Sequence, residues 1–149
     1  MHAILERLAP LVGTEIGVGD WYTIDQQRID AFANATGDHQ WIHVDEARAA
    51  DGPFGTTIAH GFLTLSLVVA LTDGVELDVG EPKMGINYGL DRVRFTGTVA
   101  SGSRVRARVQ LGSVTEAGGS VQVKRIVTVE REGEERPAMI AETLSRYYY

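Results

Sequence analysis

From Val105 onward the chain alternates with a period of two. Val105, Ala107, Val109 and Leu111 share one face, while Arg104, Arg106, Arg108 and Gln110 share the other. The alternation resumes with Val121, Val123, Val127 and Val129 after the turn signal Ala117-Gly118-Gly119. Two antiparallel strands joined by a hairpin follow, each apolar on one side and wet on the other. The stretches NYGLDRVRFTGTV (87–99) and AMIAETLSRYYY (138–149) read as two more strands, WYTID (21–25) can add a fifth, and REGEERP (131–137) reads as a charged hairpin loop. A sheet with one apolar face needs an apolar layer to lie on it.

The first half supplies that layer. Between Gly61 and Leu71, the residues Phe62, Leu63, Leu65, Leu67, Val68, Val69 and Leu71 leave almost no polar face, which predicts a buried helix ended by Thr72-Asp73-Gly74. Upstream, TIDQQRIDAFANATG predicts a helix over about 25–36. Thr23 or Asp25 serves as its cap, Ile29, Phe32 and Ala33 lie on one face, and Gly37 ends it. HVDEARAADG predicts a short helix, capped near Asp45 and stopped by Gly52-Pro53. With no repeat or linker, the expectation is one α+β domain over 1–149, an antiparallel sheet wrapped around a long central helix. A chain of 149 residues can bury roughly 68–70% of its unfolded surface in one core.

The net charge of −6 argues against nucleic acid and membrane surfaces as partners, because both are anionic. The chain has no cysteine, hence no disulfide framework, thiolate nucleophile or cysteine-based metal site. MHAILERLAPLVG lacks the basic start and the cleavage site of a signal peptide. The longest apolar run is about ten residues, against the roughly 20 of a membrane span. A soluble, cytoplasmic protein is expected.

Two stretches carry candidate chemistry. In GDHQWIH (37–43), Asp38 stands five positions ahead of His43, beside Trp41 and Ile42, whose apolar side chains draw the loop inward. A carboxylate and an imidazole can hold one water between them and move its proton. The same residues also suit a plain loop, with Asp38 capping a turn and His43 bonded to a carbonyl, and spacing alone does not choose. In AHGFLTLSL, Gly61 at a helix start offers an N–H that no side chain blocks, suited to a polarised carbonyl. The plain alternative there is close packing at Gly61, with His60 satisfying a core group and Ser66 bonded back to a carbonyl. His39 and His43 with Asp38 and His60 set no ligand geometry, so no metal is expected. No phosphate loop, dinucleotide glycine pattern or G-x-S-x-G occurs. Arg92, Arg94, Arg104, Arg106 and Arg108 read as solvated strand faces.

Taken together, FANATGDHQWIHVDEARA and GPFGTTIAHGFLTLSL, with INYGLDRVRF at 86–95, resemble the MaoC-like (R)-specific enoyl-CoA hydratases and dehydratases of the hotdog fold. The resemblance spans most of the chain. It implies a hotdog fold, a homodimer, and a hydro-lyase without cofactor that adds water reversibly to a trans-2-enoyl-CoA to give the (R)-3-hydroxyacyl-CoA. Asp38 and His43 fall on the family's catalytic acid and histidine, Gly61 on its carbonyl-binding glycine, and His60 and Ser66 near possible substrate contacts. Where many members carry Asn-Pro between acid and histidine, this chain has His39-Gln40-Trp41. Two other readings stay open: a dehydratase acting on carrier-protein-bound 3-hydroxyacyl substrates of fatty acid elongation, and a non-catalytic acyl-thioester binding module.

Overall fold

The computed structural model describes residues 2–149. Six antiparallel strands form one sheet: β1 (Glu15–Val18), β2 (Tyr22–Ile24), β3 (Met84–Phe95), β4 (Ser103–Ala117), β5 (Ser120–Arg131) and β6 (Met139–Tyr148). Their order is β1-β4-β5-β6-β3, and β2 also pairs with β4. Gly118 and Gly119 turn the β4–β5 hairpin with φ of 55° and 79°, a left-handed pair that L side chains adopt at a cost and glycine does not. The inner face is the alternating apolar set, Val105 to Leu111 and Val121, Val123, Val127 and Val129, all fully buried. On the outer face the arginines pair with carboxylates: Arg104 with Glu132, Arg106 with Glu130, and Arg108 with both Glu15 and Glu130.

Six helical segments accompany the sheet: α1 (His2–Leu8), followed by a 3-10 turn over Ala9–Leu11, then α2 (Gln26–Thr36), α3 (Trp41–Val44), α4 (Glu46–Ala50), α5 (Gly61–Ser66) and α6 (Val68–Leu71). The apolar run from Gly61 is therefore two short pieces divided at Leu67. Leu63, Leu67 and Leu71, spaced one turn apart, are buried against Val105, Ala107, Val109, Val127, Val129 and Met139 in one core. The run is not buried all round, however: Phe62 is 69% and Val69 66% exposed. A helix lying in a curled sheet buries only the stripe that faces the sheet, and the opposite stripe stays open unless another layer covers it.

A smaller cluster joins Ile4 and Leu8 of α1 to Leu111, Val121 and Val123. Neither α1 nor β1 was foreseen in the sequence, since both are too short to show a period. Gly19, between β1 and β2, lies so close to the end of α6 that a Cβ there would stand 1.9 Å from the Leu71 carbonyl oxygen. No helix among the described residues is long and apolar enough to cross a membrane.

Candidate active site

Local sequence rules build the first wall of the site. Asp25 caps α2 by accepting the Arg28 N–H, and Gly37 ends the helix at φ 80°, sending its N–H back to the Ala33 carbonyl at 2.8 Å. Ile29 and Ala33 anchor α2 with no exposure. Beyond Gly37 the sequence reading expected loop as far as His43, but Trp41–Val44 closes one helical turn, α3. Tertiary packing makes that turn: the Trp41 ring sits under Arg48, 4.3 Å from its guanidinium carbon, and against Gly52, where a Cβ would come within 3.0 Å of it. Asp45 ends α3 and caps α4 through the Arg48 N–H. His39 is drawn back onto α2, its Nε2 3.0 Å from the Asn34 Oδ1.

Asp38, His43 and His60 converge. Both histidines are buried, whereas Asp38 is exposed. His43 Nδ1 lies 2.7 Å from the Ile58 carbonyl oxygen, which can only accept, so Nδ1 carries the proton and Nε2 of the neutral ring keeps its lone pair. By the same reasoning His60 donates from Nε2 to the Asp38 carbonyl at 2.9 Å, and its buried Nδ1 has no partner among the described residues. The two imidazoles stack, with centroids 3.8 Å apart. Asp38 Oδ1 accepts the Gln40 N–H at 3.3 Å. The plain loop contacts expected of Asp38 and His43 are thus present, yet each uses only one heteroatom of its side chain.

One donor atom from each of Asp38, His43 and His60 falls within 4.8 Å of the others. A single water at about 2.8 Å from two partners bridges such a gap. A small cation could use the same three donors, and it would displace that water. Burial pushes His43 below the ordinary 6.5; the Ile58 hydrogen bond opposes this, His60 adds to the lowering and the Asp38 charge opposes it. His43 is therefore neutral at pH 7, the form in which Nε2 accepts a proton.

Gly61 opens α5, so its N–H has no acceptor within the helix, and the His60 side chain makes no capping bond. The Phe95 ring lies over it, 3.1 Å from where a Cβ would stand. His43, Gly61, Thr64, Phe95, Thr98 and Val99 line a cavity of about 410 Å³. Ser66 is elsewhere: its Oγ donates to the Phe62 carbonyl at 2.7 Å, and it lines a second cavity farther along the helix. Gln26 escaped the sequence reading. Its Nε2 donates to the His43 carbonyl at 2.7 Å and to Asp30 at 2.9 Å, while its Oε1 accepts the hydroxyl of buried Thr57. A glutamine at a helix start carries no signal of that brace, because its partners lie 17 and 31 residues away.

The family model described as "MaoC like domain" matches residues 7–133. The chain is 52% identical over 141 residues to 3-hydroxyacyl-thioester dehydratase Z of Mycobacterium tuberculosis, covering 94% of this chain and 93% of that relative. It is 52% identical over 144 residues to nodulation protein N of Rhizobium leguminosarum bv. viciae, covering 95% and 89%. Among solved structures, the (R)-hydratase from A. caviae involved in PHA biosynthesis superposes with a TM-score of 0.69 at 25% identity, covering 87% of this chain and 95% of that one. Matched along most of its length, the chain belongs to the MaoC-like family of hotdog-fold hydratases and dehydratases, which are hydro-lyases.

Proposed function

We propose that the chain interconverts a trans-2-enoyl-CoA and the (R)-3-hydroxyacyl-CoA by reversible addition of water. The observation that carries this reading is the convergence of Asp38 and neutral His43 beside the cavity that Gly61 borders. The thioester oxygen accepts the Gly61 N–H, and a water rests between the Asp38 carboxylate and His43 Nε2. As the water oxygen bonds to C3, its proton passes to Nε2 and the C2=C3 electron pair moves toward the carbonyl. Enolate charge then develops on the oxygen held by Gly61, where one such donor is worth on the order of 3 kcal/mol. Asp38 steadies the imidazolium, and that proton returns to C2, leaving one H and one OH added. Dehydration is the same path reversed, and the name of the Mycobacterium tuberculosis relative supports thioester substrates in that direction.

We also assign the working form as a homodimer. Among the described residues strand β3 pairs only with β6, and along its 12 residues Met84, Ile86, Tyr88, Leu90 and Phe95 are exposed. Together with Phe62 and Val69 they form an apolar edge of the kind that isolated proteins avoid. A second copy related by a two-fold axis would pair that edge antiparallel with itself.

The test mixes purified protein with short trans-2-enoyl-CoA thioesters and follows loss of the conjugated absorbance, with carrier-protein thioesters in parallel. Asp38→Asn and His43→Gln should each lower kcat by about 10²–10⁴ while remaining folded. An inactive wild type, or folded variants of full activity, would overturn the assignment. Faster turnover of the carrier-bound substrate would move the natural substrate to that class.

A further inference from the structure

The period of two that places Val121, Val123, Val127 and Val129 inside the sheet also places Arg125 there. Along β6 no bulge intervenes: Arg125 pairs in register with Thr143, between Val123 opposite Ser145 and Val127 opposite Ala141, and the bulge on its other side falls in β4, between Leu111 and Ser113, leaving β5 itself regular. An inward cation in an otherwise apolar row is costly unless something accepts its hydrogen bonds. The outer-face arginines of β4 pair with glutamates, whereas Arg125 donates only to the Tyr147 hydroxyl, at 3.1 Å, and makes no ion pair among the described residues.

Arg125 lines the second cavity, of about 510 Å³, between the helix and strands β3 and β6. Most of its wall is apolar, but Asn87, Thr143 and Ser145 line it together with Arg125, with Thr72 and Ser66 on the helix side. The two cavities are lined by successive stretches of the same elements. Gly61 and Thr64 of the helix, with Phe95 and Ala138 at the β3 and β6 ends, line the first; Leu65, Val68 and Thr72 of the helix, with residues 85–90 of β3 and Thr143 and Ser145 of β6, line the second. From Met139, next to the first cavity, to Thr143, opposite Arg125, is four residues of strand, or roughly 13 Å. An acyl chain whose carbonyl sits on Gly61 and which runs on along the helix heads for Arg125.

On the strength of the hydratase reading, we infer that Arg125 is a specificity-determining residue for the acyl chain, receiving an anionic oxygen group, a terminal carboxylate, on the far end of the substrate. Tyr147 orients the guanidinium, and Thr143, Ser145 and Asn87 supply further donors to the same oxygens. A methyl-ended chain of equal length reaches the same guanidinium and leaves it without an anion, so the preference comes from the charge that goes unpaired.

The full-length protein is assayed on a chain-length series of trans-2-enoyl-CoA thioesters ending in either methyl or carboxylate, with the trans-2-butenoyl thioester as a substrate too short to reach Arg125. At the length that spans the groove, the carboxylate-ended substrate should have the higher kcat/KM, by roughly tenfold or more. Arg125→Met should erase that ratio and leave butenoyl turnover unchanged, and Arg125→Lys should keep part of it. If Arg125→Met does not fold, the wild-type ratio and the lysine variant decide. Turnover of butenoyl thioester with no carboxylate preference at any length overturns the inference and leaves the hydratase reading standing, as does a ratio that survives in folded Arg125→Met. No turnover of any enoyl thioester overturns both.

Discussion

At the scale of single residues, the chemistry depends on which heteroatoms are already taken. The Ile58 carbonyl holds the His43 proton on Nδ1, and so leaves Nε2 as the base. Burial lowers the pKa of that ring below 6.5. Activity should therefore fall as acid protonates His43 at a pH below 6.5, which a kcat/KM profile will read. Stability moves with it. Between about 6.5 and the lowered folded value, the unfolded chain binds the proton and the folded one does not, so stability declines as pH falls through that window. Urea midpoints compared at pH 7.5 and 5.5 should drop more for the wild type than for His43→Gln. Gly61 allows a cleaner separation of donor from space. Proline is tolerated at the first helical position, removes the N–H and, like alanine, adds a Cβ that meets the Phe95 ring, so Gly61→Pro should cost about 10²–10³ in kcat beyond the cost of Gly61→Ala. Gly61→Ala, which keeps the N–H and presses on the movable Phe95 ring, should cost far less in the same assay.

At the scale of elements, strand parity and helix caps were readable because they are written in near neighbours. The Asp25 cap, the Gly37 stop and the inward valines of β4 and β5 stand where the sequence indicates. Elements of three or four residues were not readable: α3 lacks the length to show a helical period, and it exists because Trp41 is clamped between Arg48 and Gly52. Arg125 was legible in principle, since it shares the parity of Val123 and Val127, but a charge in an apolar row reads as an interruption until the cavity beside it is seen. Gln26 ties α2 to α3 and to Thr57. Gln26→Leu strands the His43 carbonyl and the Thr57 hydroxyl, and should destabilise the fold by about 1–3 kcal/mol in urea unfolding, with a larger loss in kcat than in KM as His43 shifts.

At the scale of the whole molecule, the sheet wraps one stripe of the α5–α6 segment and leaves the other beside the open edge of β3. In the homodimer proposed here a second copy covers both. Ile86→Lys places a charge on that edge, a device by which natural strands resist pairing. Light scattering should show twice the chain mass for the wild type and a shift toward the single chain for the variant. A wild type that is monomeric at micromolar concentration would reject the dimer.

The sequence by itself determined the α+β class, the strands that bury valine on one side, the cap and stop of α2, and the Asp38, His43 and Gly61 positions that resemble a known motif. Each of these rests on residues two to five apart or on a contiguous pattern. Only the tertiary structure decided that His60 lies on His43, that Gln26 braces it, that the apolar run faces open space along Phe62 and Val69, and that Arg125 borders a cavity. Those relations are made by hydrogen bonds and packing between segments 15 or more residues apart, such as His43 to Ile58 and His60 to Asp38, and no local period encodes such a meeting.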